Sequence, residues 1–166
     1  MLTKNQSLIA SLVEVAKSSQ MLQRHAAAVV SGKRILSLAS NFRSDLTLNH
    51  LLTKGNRKSL AFSVHAEQCA IQKVQLAKVS RSKLKVLVIR INSDCDLMQS
   101  KPCSECIAFM RSKNIKKVTY SNADGNLITE SLVVITQDHT SQGFRVIFRY
   151  APTLVHLNPE EKLRLK

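Results

Sequence analysis

His65-Ala66-Glu67 and, further along, Pro102-Cys103-Ser104-Glu105-Cys106 decide how this chain is read. The pattern is H-x-E followed by P-C-x-x-C. Cys103 and Cys106 are spaced by about one helical turn, so at the start of a helix both sulfurs can face one point. A helix N-terminus also favours their thiolate forms. His65 at the start of another helix adds a ring nitrogen. Three such ligands are the protein's share of an open tetrahedral zinc site, whose fourth position is left for water. Glu67 points to a different side of its helix start and need not bind the metal. It is free to take a proton from an attacking water and return it to a leaving group.

Each fragment has a blander reading. A lone C-x-x-C is half of a structural zinc site or a redox pair, and a lone H-x-E means little. The chain has no second C-x-x-C, no histidine pair at finger spacing and no other thioredoxin-like feature. The two fragments, separated by a strand and placed at two predicted helix starts, form a far more specific pattern.

Outward from the motifs, His65–Lys78 reads as a helix and Leu84–Ile91 (LKVLVIRI) as a strand. Cys103–Ser112 is a second helix, and Ile115–Tyr120 a strand closed by the turn residues Asn122–Asn126. Toward the N-terminus, Ser7–Leu22 carries a helical apolar stripe of Leu8, Ile9, Leu12, Val13, Val15 and Ala16. Ala26–Val30 and Arg34–Asn41 read as a hairpin about Ser31-Gly32-Lys33. Residues 42–62 show no period and read as a polar connection with at most one helical turn over Leu46–Leu52. Leu127–Thr136 and Phe144–Tyr150 read as extended segments. Helices alternating with apolar strands predict a three-layer α/β/α sandwich around a buried sheet. Residues 1–150 are expected to form this zinc domain and 151–166 a basic C-terminal tail.

Composition narrows the class. The 166 residues suffice for one domain, with 44% apolar and 22% charged residues. Aromatics are 4% with no Trp, so the core is aliphatic and an RNA platform of stacked rings is disfavoured. Four Cys are too few for a disulfide scaffold. Cys69 and Cys95 are expected to be a core and a loop thiol, and His25, His50, His139 and His156 structural or surface residues. His25 alone is held in reserve, because it opens a strand. The first residues lack the apolar run of a signal peptide, and no stretch is long enough to span a bilayer. A soluble intracellular protein, cytoplasmic or nuclear, with no membrane partner is expected. The net charge is +14, and residues 54–90 hold nine Lys and Arg against Glu67 alone. Such a field attracts polyanions, nucleic acid among them.

The motifs extend to a family resemblance. Arg24-His25-Ala26-Ala27-Ala28-Val29-Val30, Leu38-Ala39-Ser40-Asn41, His65-Ala66-Glu67, Ser100-Lys101-Pro102-Cys103-Ser104-Glu105-Cys106 and Ile115–Ser121 resemble the cytidine and deoxycytidylate deaminase superfamily. The last run is similar to the branch with deoxycytidylate deaminases, tRNA adenosine deaminases and AID/APOBEC proteins. The resemblance implies a cytidine deaminase-like five-stranded mixed sheet, in which the strand after the cysteine helix is followed by a parallel neighbour. It implies Zn2+ held by His65, Cys103 and Cys106 between two helices, with Glu67 catalytic. Asn41 would bond the substrate near its base or sugar, and the backbone around Ala66 and Ser100 would read the base edge. Ala39 stands where the family usually has Gly, and Ser104-Glu105 differs from the pair usual in tRNA adenosine deaminases.

The implied reaction is hydrolytic deamination of cytosine to uracil in a cytidine or deoxycytidine nucleoside or nucleotide, in an enzyme that assembles as a homo-oligomer. Arg43, Lys54, Arg57 and Lys58 are basic residues that could meet a substrate phosphate. Two alternatives stand beside it. One is a polynucleotide deaminase acting on single-stranded DNA or on RNA, tRNA included. The other is a catalytically silent zinc-containing partner subunit, which would have no use for Glu67.

Overall fold

The computed structural model describes residues 4–46, 60–76, 79–80, 83–137 and 139–141. Its elements are α1 (Lys4–Lys17), β1 (Arg24–Ser31), β2 (Arg34–Ser40), β3 (Phe42–Leu46), β4 (Leu60–Val64) and α2 (Ala66–Gln72). β5 (Leu84–Ile91), β6 (Leu97–Met98), α3 (Ser104–Ser112), β7 (Lys117–Ser121) and β8 (Leu127–Ser131) follow. The central sheet runs β2-β1-β5-β7-β8, with the two-residue β6 paired to the end of β5. β5 and β7 are parallel and the other neighbours antiparallel, so the sheet is mixed.

Two apolar clusters, one on each face, make three layers. On one side Leu12 and Ala16 of α1 pack on Ala26, Ala28, Leu87, Ile89 and Ile91. On the other, Ala66, Ala70, Ile71, Ile107, Phe109 and Met110 from α2 and α3 pack on Ala27, Val29, Val86 and Val88. Strand alternation sends successive side chains of β1 and β5 to opposite clusters. The alanines of β1 are small enough for helices to approach from both sides.

Several sequence expectations are corrected in extent. α1 ends at Lys17 rather than Leu22, where the Ser18 hydroxyl turns back to the Val15 carbonyl at 2.7 Å. α2 stops at Gln72, not Lys78. β8 ends at Ser131, after which a turn buries Leu132 and Ile135 and exposes Val133 and Val134. The connection after Asn41 is not featureless: β3 and β4 pair antiparallel, Phe42 opposite Val64 and Leu46 opposite Leu60. The suggested helical turn over Leu46–Leu52 begins on the last residue of β3, and its remainder lies outside the described residues, as do Phe144–Tyr150 and the 151–166 tail.

β8, the last strand among the described residues, is antiparallel to β7, whereas the resemblance implied that the strand after the cysteine helix is followed by a parallel neighbour. A parallel neighbour needs a crossover of a dozen or more residues. The chain instead turns tightly from Ser121 to Leu127, with the Asn122 carboxamide oxygen accepting the Asp124 and Asn126 N–H groups at 3.0 and 2.8 Å. Gly125 has φ +78 here, and a Cβ on it would meet the Leu97 carbonyl oxygen at 3.3 Å. Gly32, in the β1–β2 turn, has φ +59 and open space around it. Both positions are costly for an L side chain, but only Gly125 adds a steric conflict. Gly32→Ala is expected to lose about 1 kcal/mol and Gly125→Ala about 2 kcal/mol or more, read as the difference between their denaturant midpoints.

Candidate metal centre and active site

His65 and Cys103 are the N-cap residues of α2 and α3, with extended backbones (φ −75, ψ 146 and φ −70, ψ 166). Neither side chain caps its own helix. Their carbonyls accept the first intrahelical bonds, from Cys69 and Ile107 N–H at 3.1 and 3.0 Å. Each side chain is therefore free to turn toward the other helix. His65 Nδ1 lies 3.4 Å from Cys103 Sγ and 3.2 Å from Cys106 Sγ. These three donors all fall within 4.8 Å of one another, the only such group among the described residues.

The spacing fits zinc. Bonds of about 2.3 Å to sulfur and about 2.0–2.1 Å to nitrogen, at tetrahedral angles, put N and S about 3.5 Å apart. His65, Cys103 and Cys106 would hold the ion, and a tetrahedral ion keeps one position for a non-protein ligand. Glu67, in the first turn of α2 and 4% exposed, is not in the ligand group. Its charge acts on His65, Cys103 and Cys106, so the carboxylate lies within electrostatic reach of all three donors.

Two bonded clasps hold the approach to Cys103. Ser100 is 3% exposed and knits the segment to both parallel strands. Its N–H donates to the Ser121 carbonyl at 2.8 Å, its hydroxyl donates to the Val88 carbonyl at 2.9 Å, and the Ser121 N–H returns a bond to that hydroxyl at 2.9 Å. The second clasp had no sequence signal. Ser104 N–H donates to the His139 carbonyl at 3.0 Å, and Ser141 N–H donates to Glu105 Oε2 at 3.2 Å. Glu105, a variable position inside P-C-x-x-C, thus ties residues 139–141 to the start of α3. Burial opposes its ionisation, but hydrogen bonds involving Cys103, the Ser141 N–H and Ser104 hold its carboxyl below the usual range.

Asn41 is 5% exposed, and its side chain is already engaged. Its Oδ1 accepts the Ser19 hydroxyl at 2.8 Å and the His25 N–H at 2.9 Å, and its Nδ2 donates to the Gln23 carbonyl at 2.8 Å. The residue brackets the α1–β1 connection to the end of β2. Ala66 is the first residue of α2, where a helix has backbone N–H groups without intrahelical partners. His25 sits at the start of β1, while His139 is exposed and contributes through its carbonyl; His50 and His156 lie outside the described residues. Cys69 is a core thiol and Cys95 packs against the α1 cluster.

The fold and donor set define a zinc-dependent hydrolase built on two helix starts. The profile of the cytidine and deoxycytidylate deaminase zinc-binding region matches residues 2–122, and the chain belongs to that family. Among solved structures it is similar to a cytidine deaminase from Burkholderia pseudomallei, with a TM-score of 0.56, 14% identity, and coverage of 84% of this chain and 100% of that one. That likeness supports the fold. Crystal structures of the dCMP deaminase of cyanophage S-TIM5 also align. The complex with dCMP and dUMP gives a TM-score of 0.44 at 22% identity over 75% of this chain and 89% of that one. The apo form gives 0.40 at 23% over 72% and 86%. A search of curated protein sequences finds no match.

Without metal, the three donors share protons. Burial pulls the His65 pKa down, but its hydrogen bond with Cys103 and the Glu67 charge outweigh this and raise it to about 9. The bond from Cys106, opposed by burial and helped by His65, lowers Cys103 to about 7. The bond to Cys103 and full burial push Cys106 well above an ordinary thiol. Near pH 8 the cluster is therefore an imidazolium, a thiolate and a thiol. Because metal competes with protons for these atoms, loading at pH 8 is expected to release about two protons, and affinity to fall as pH falls. Calorimetry in buffers of different ionisation enthalpy, with chelator competition from pH 7 to 9, measures both.

Proposed function

We propose that the chain is a hydrolytic deaminase that converts cytosine to uracil, with release of ammonia, in a cytidine or deoxycytidine nucleoside or nucleotide. The observation that carries this reading is Glu67, a buried carboxylate beside a three-donor metal cluster but outside it. A structural metal site has no need of such a group. When bound, zinc supplies Lewis acidity that makes water a competent nucleophile near neutral pH.

The remaining work falls to the chain. Glu67 accepts one proton from the attacking water and delivers it to the ring nitrogen, then carries the second proton from the oxygen newly bound to C4 to the departing amine, so that the C4 carbonyl forms as the C–N bond breaks and ammonia rather than an amide anion leaves. Its position one residue beyond Ala66 sets the carboxylate and the α2 backbone N–H groups side by side, the latter suited to hold the base edge. The Ser100 N–H is committed to Ser121, which leaves the backbone carbonyls of that segment as its means of reading a base. Asn41 has one bond from Nδ2 committed to Gln23, and its second Nδ2 hydrogen is the group it can offer a substrate hydroxyl.

The +14 charge favours a second reading, in which the cytosine belongs to single-stranded DNA or RNA. The two separate by salt: polynucleotide turnover falls steeply as salt rises, whereas one phosphate contact responds weakly. Ammonia release by zinc-loaded protein is measured on deoxycytidine, its monophosphate and a cytosine-containing oligonucleotide. Glu67→Gln is expected to keep its zinc and lose at least about 100-fold in kcat. Full activity in that variant excludes the proton-transfer role, and a zinc-loaded wild type inert on all three substrates favours the silent partner subunit.

A further inference from the structure

Part of the excess basic charge is gathered at one end of the sheet. β5 and β7 run parallel and begin at the same level, β5 with Lys83 and Lys85 around its start and β7 with Lys116 and Lys117. Lys85 and Lys117 are register partners. β1 ends and β2 begins at that level too, Ser31 lying opposite both Leu84 and Arg34, so the turn between them adds Lys33 and Arg34. All of these cations are exposed. None of them enters either ion pair found among the described residues, Lys17–Glu14 and Lys101–Glu130.

The described acids lie elsewhere. Asp94, Asp96 and Asp124 are in loops at the other end of these strands. Glu67 and Glu105 act on the metal donors, and Asp45 is on the separate β3–β4 pair. Glu14 is taken up by Lys17, and Glu130 by Tyr120 and Lys101. Like charges directly opposite each other on neighbouring strands destabilise a sheet. Interspersed acids would relieve that repulsion between Lys85 and Lys117; with none beside them, a bound polyanion does so instead.

This end is removed from the metal donors in two ways. In β5, Val86 and Val88 pack in the cluster that contains Cys103 and Cys106, whereas Leu87 and Ile89 pack with α1. Strand alternation sends Lys85 to the α1 side, and Lys117, next to Val118, goes with it. Lys85 also lies three residues, about 10 Å, short of Val88, whose carbonyl holds Ser100 on the way to Cys103.

The row is wide enough for a large ligand. From β2 to β7 it crosses three strand spacings, about 14 Å. A nucleic-acid duplex carries one phosphate charge per about 1.7 Å of its axis, so about eight face that span. Single strands are held by bases stacked on aromatic rings as well as by charge. The described aromatics do not serve this end: Phe109 and Tyr120 are buried, and Phe42 and Phe62 are on β3 and β4. Cations without rings suit a phosphate backbone and not the reading of bases.

We propose that this end of the sheet, formed by Lys33, Arg34, Lys83, Lys85, Lys116 and Lys117, is a docking surface for double-stranded nucleic acid, gripped through its phosphates without regard to sequence and apart from the metal site. It does not rest on the deaminase reading, because none of these residues belongs to that site.

The test is fluorescence anisotropy of a labelled DNA duplex titrated with zinc-loaded protein from about 50 to about 200 mM salt. Log affinity is expected to fall linearly with log salt at a slope of about −4.5, that of about five phosphate contacts. Lys85→Gln/Lys117→Gln is expected to lose about 10–100-fold in affinity near 0.1 M salt and to flatten the slope by about 2. Lys17→Gln removes the same charge near Arg24 and Cys95 and is expected to lose much less than Lys117→Gln alone. Equal losses in those two single variants would make binding a matter of net charge and overturn the proposal. A wild type that leaves the duplex free at about 50 mM salt would overturn it as well, whether or not phosphatidylserine vesicles then bind through these lysines. So would tighter binding of a single strand of the same length. The duplex is expected to stay bound in saturating dCMP; its displacement would put it in the substrate site and overturn the separation. Should the double variant fail to fold, Lys85→Gln and Lys117→Gln decide singly, each with an expected loss of about 3–10-fold. Duplex binding of this kind by a protein inert on cytosine would sink the deaminase reading and leave the surface standing.

Discussion

The structure depends on two helices beginning at the same place. The side chains that open α2 and α3 meet, His65 Nδ1 lying 3.4 Å from Cys103 Sγ, and each helix is entered through an extended residue whose side chain does not cap it. The hydrogen-bonding need of each helix start is thus left to the backbone and to whatever lies in front of it. His65 and Cys103 turn instead toward a shared point, and Cys106 joins them from the next turn of α3. Partial positive charge from both helix ends converges there, which suits thiolates and a carboxylate. Burial works the other way, disfavouring every charged form. The metal-free cluster settles this conflict by sharing protons among its members; a divalent cation settles it by replacing them.

Holding two helix starts at that distance is the task of the sheet. The parallel pair β5–β7 brings the loops after its strands to one end, and Ser100 is tied to both strands by bonds of its N–H and hydroxyl. β1 completes the platform with side chains small enough for α1 to close on one face and α2 on the other. The segment at 139–141 adds a brace from the outside, through Glu105 and Ser104. The site's geometry is therefore held by polar bonds near it and by apolar packing further away.

Asn41 shows how framework and site overlap. Three of its side-chain bonds link Ser19, Gln23 and His25, which fixes the start of β1 against the end of β2. The same bonds place His25 and Asn41 together at the rim of the metal-donor face. A residue that fixes a strand register can, in this position, also fix what the site presents to a ligand.

Local sequence determined a good deal. Leu84–Ile91 is a strand with the bounds that its apolar run suggested, because a buried strand needs little beyond a run of Val, Ile and Leu. The His65, Cys103, Cys106 donor set and the free Glu67 were legible from residue type and helical spacing alone, since ligand chemistry restricts both. Other features were decided only by tertiary structure. The β3–β4 pairing has no apolar period to announce it, because its register depends on a partner strand distant in sequence. The direction of β8 follows from a tight turn that leaves no room for a crossover, a constraint on chain length rather than on composition. Glu105's bond to Ser141 and the pairing of Lys85 with Lys117 join residues with no local relation to each other. Spacing along the chain fixes which atoms can bind one ion; only the folded sheet fixes which charges lie side by side.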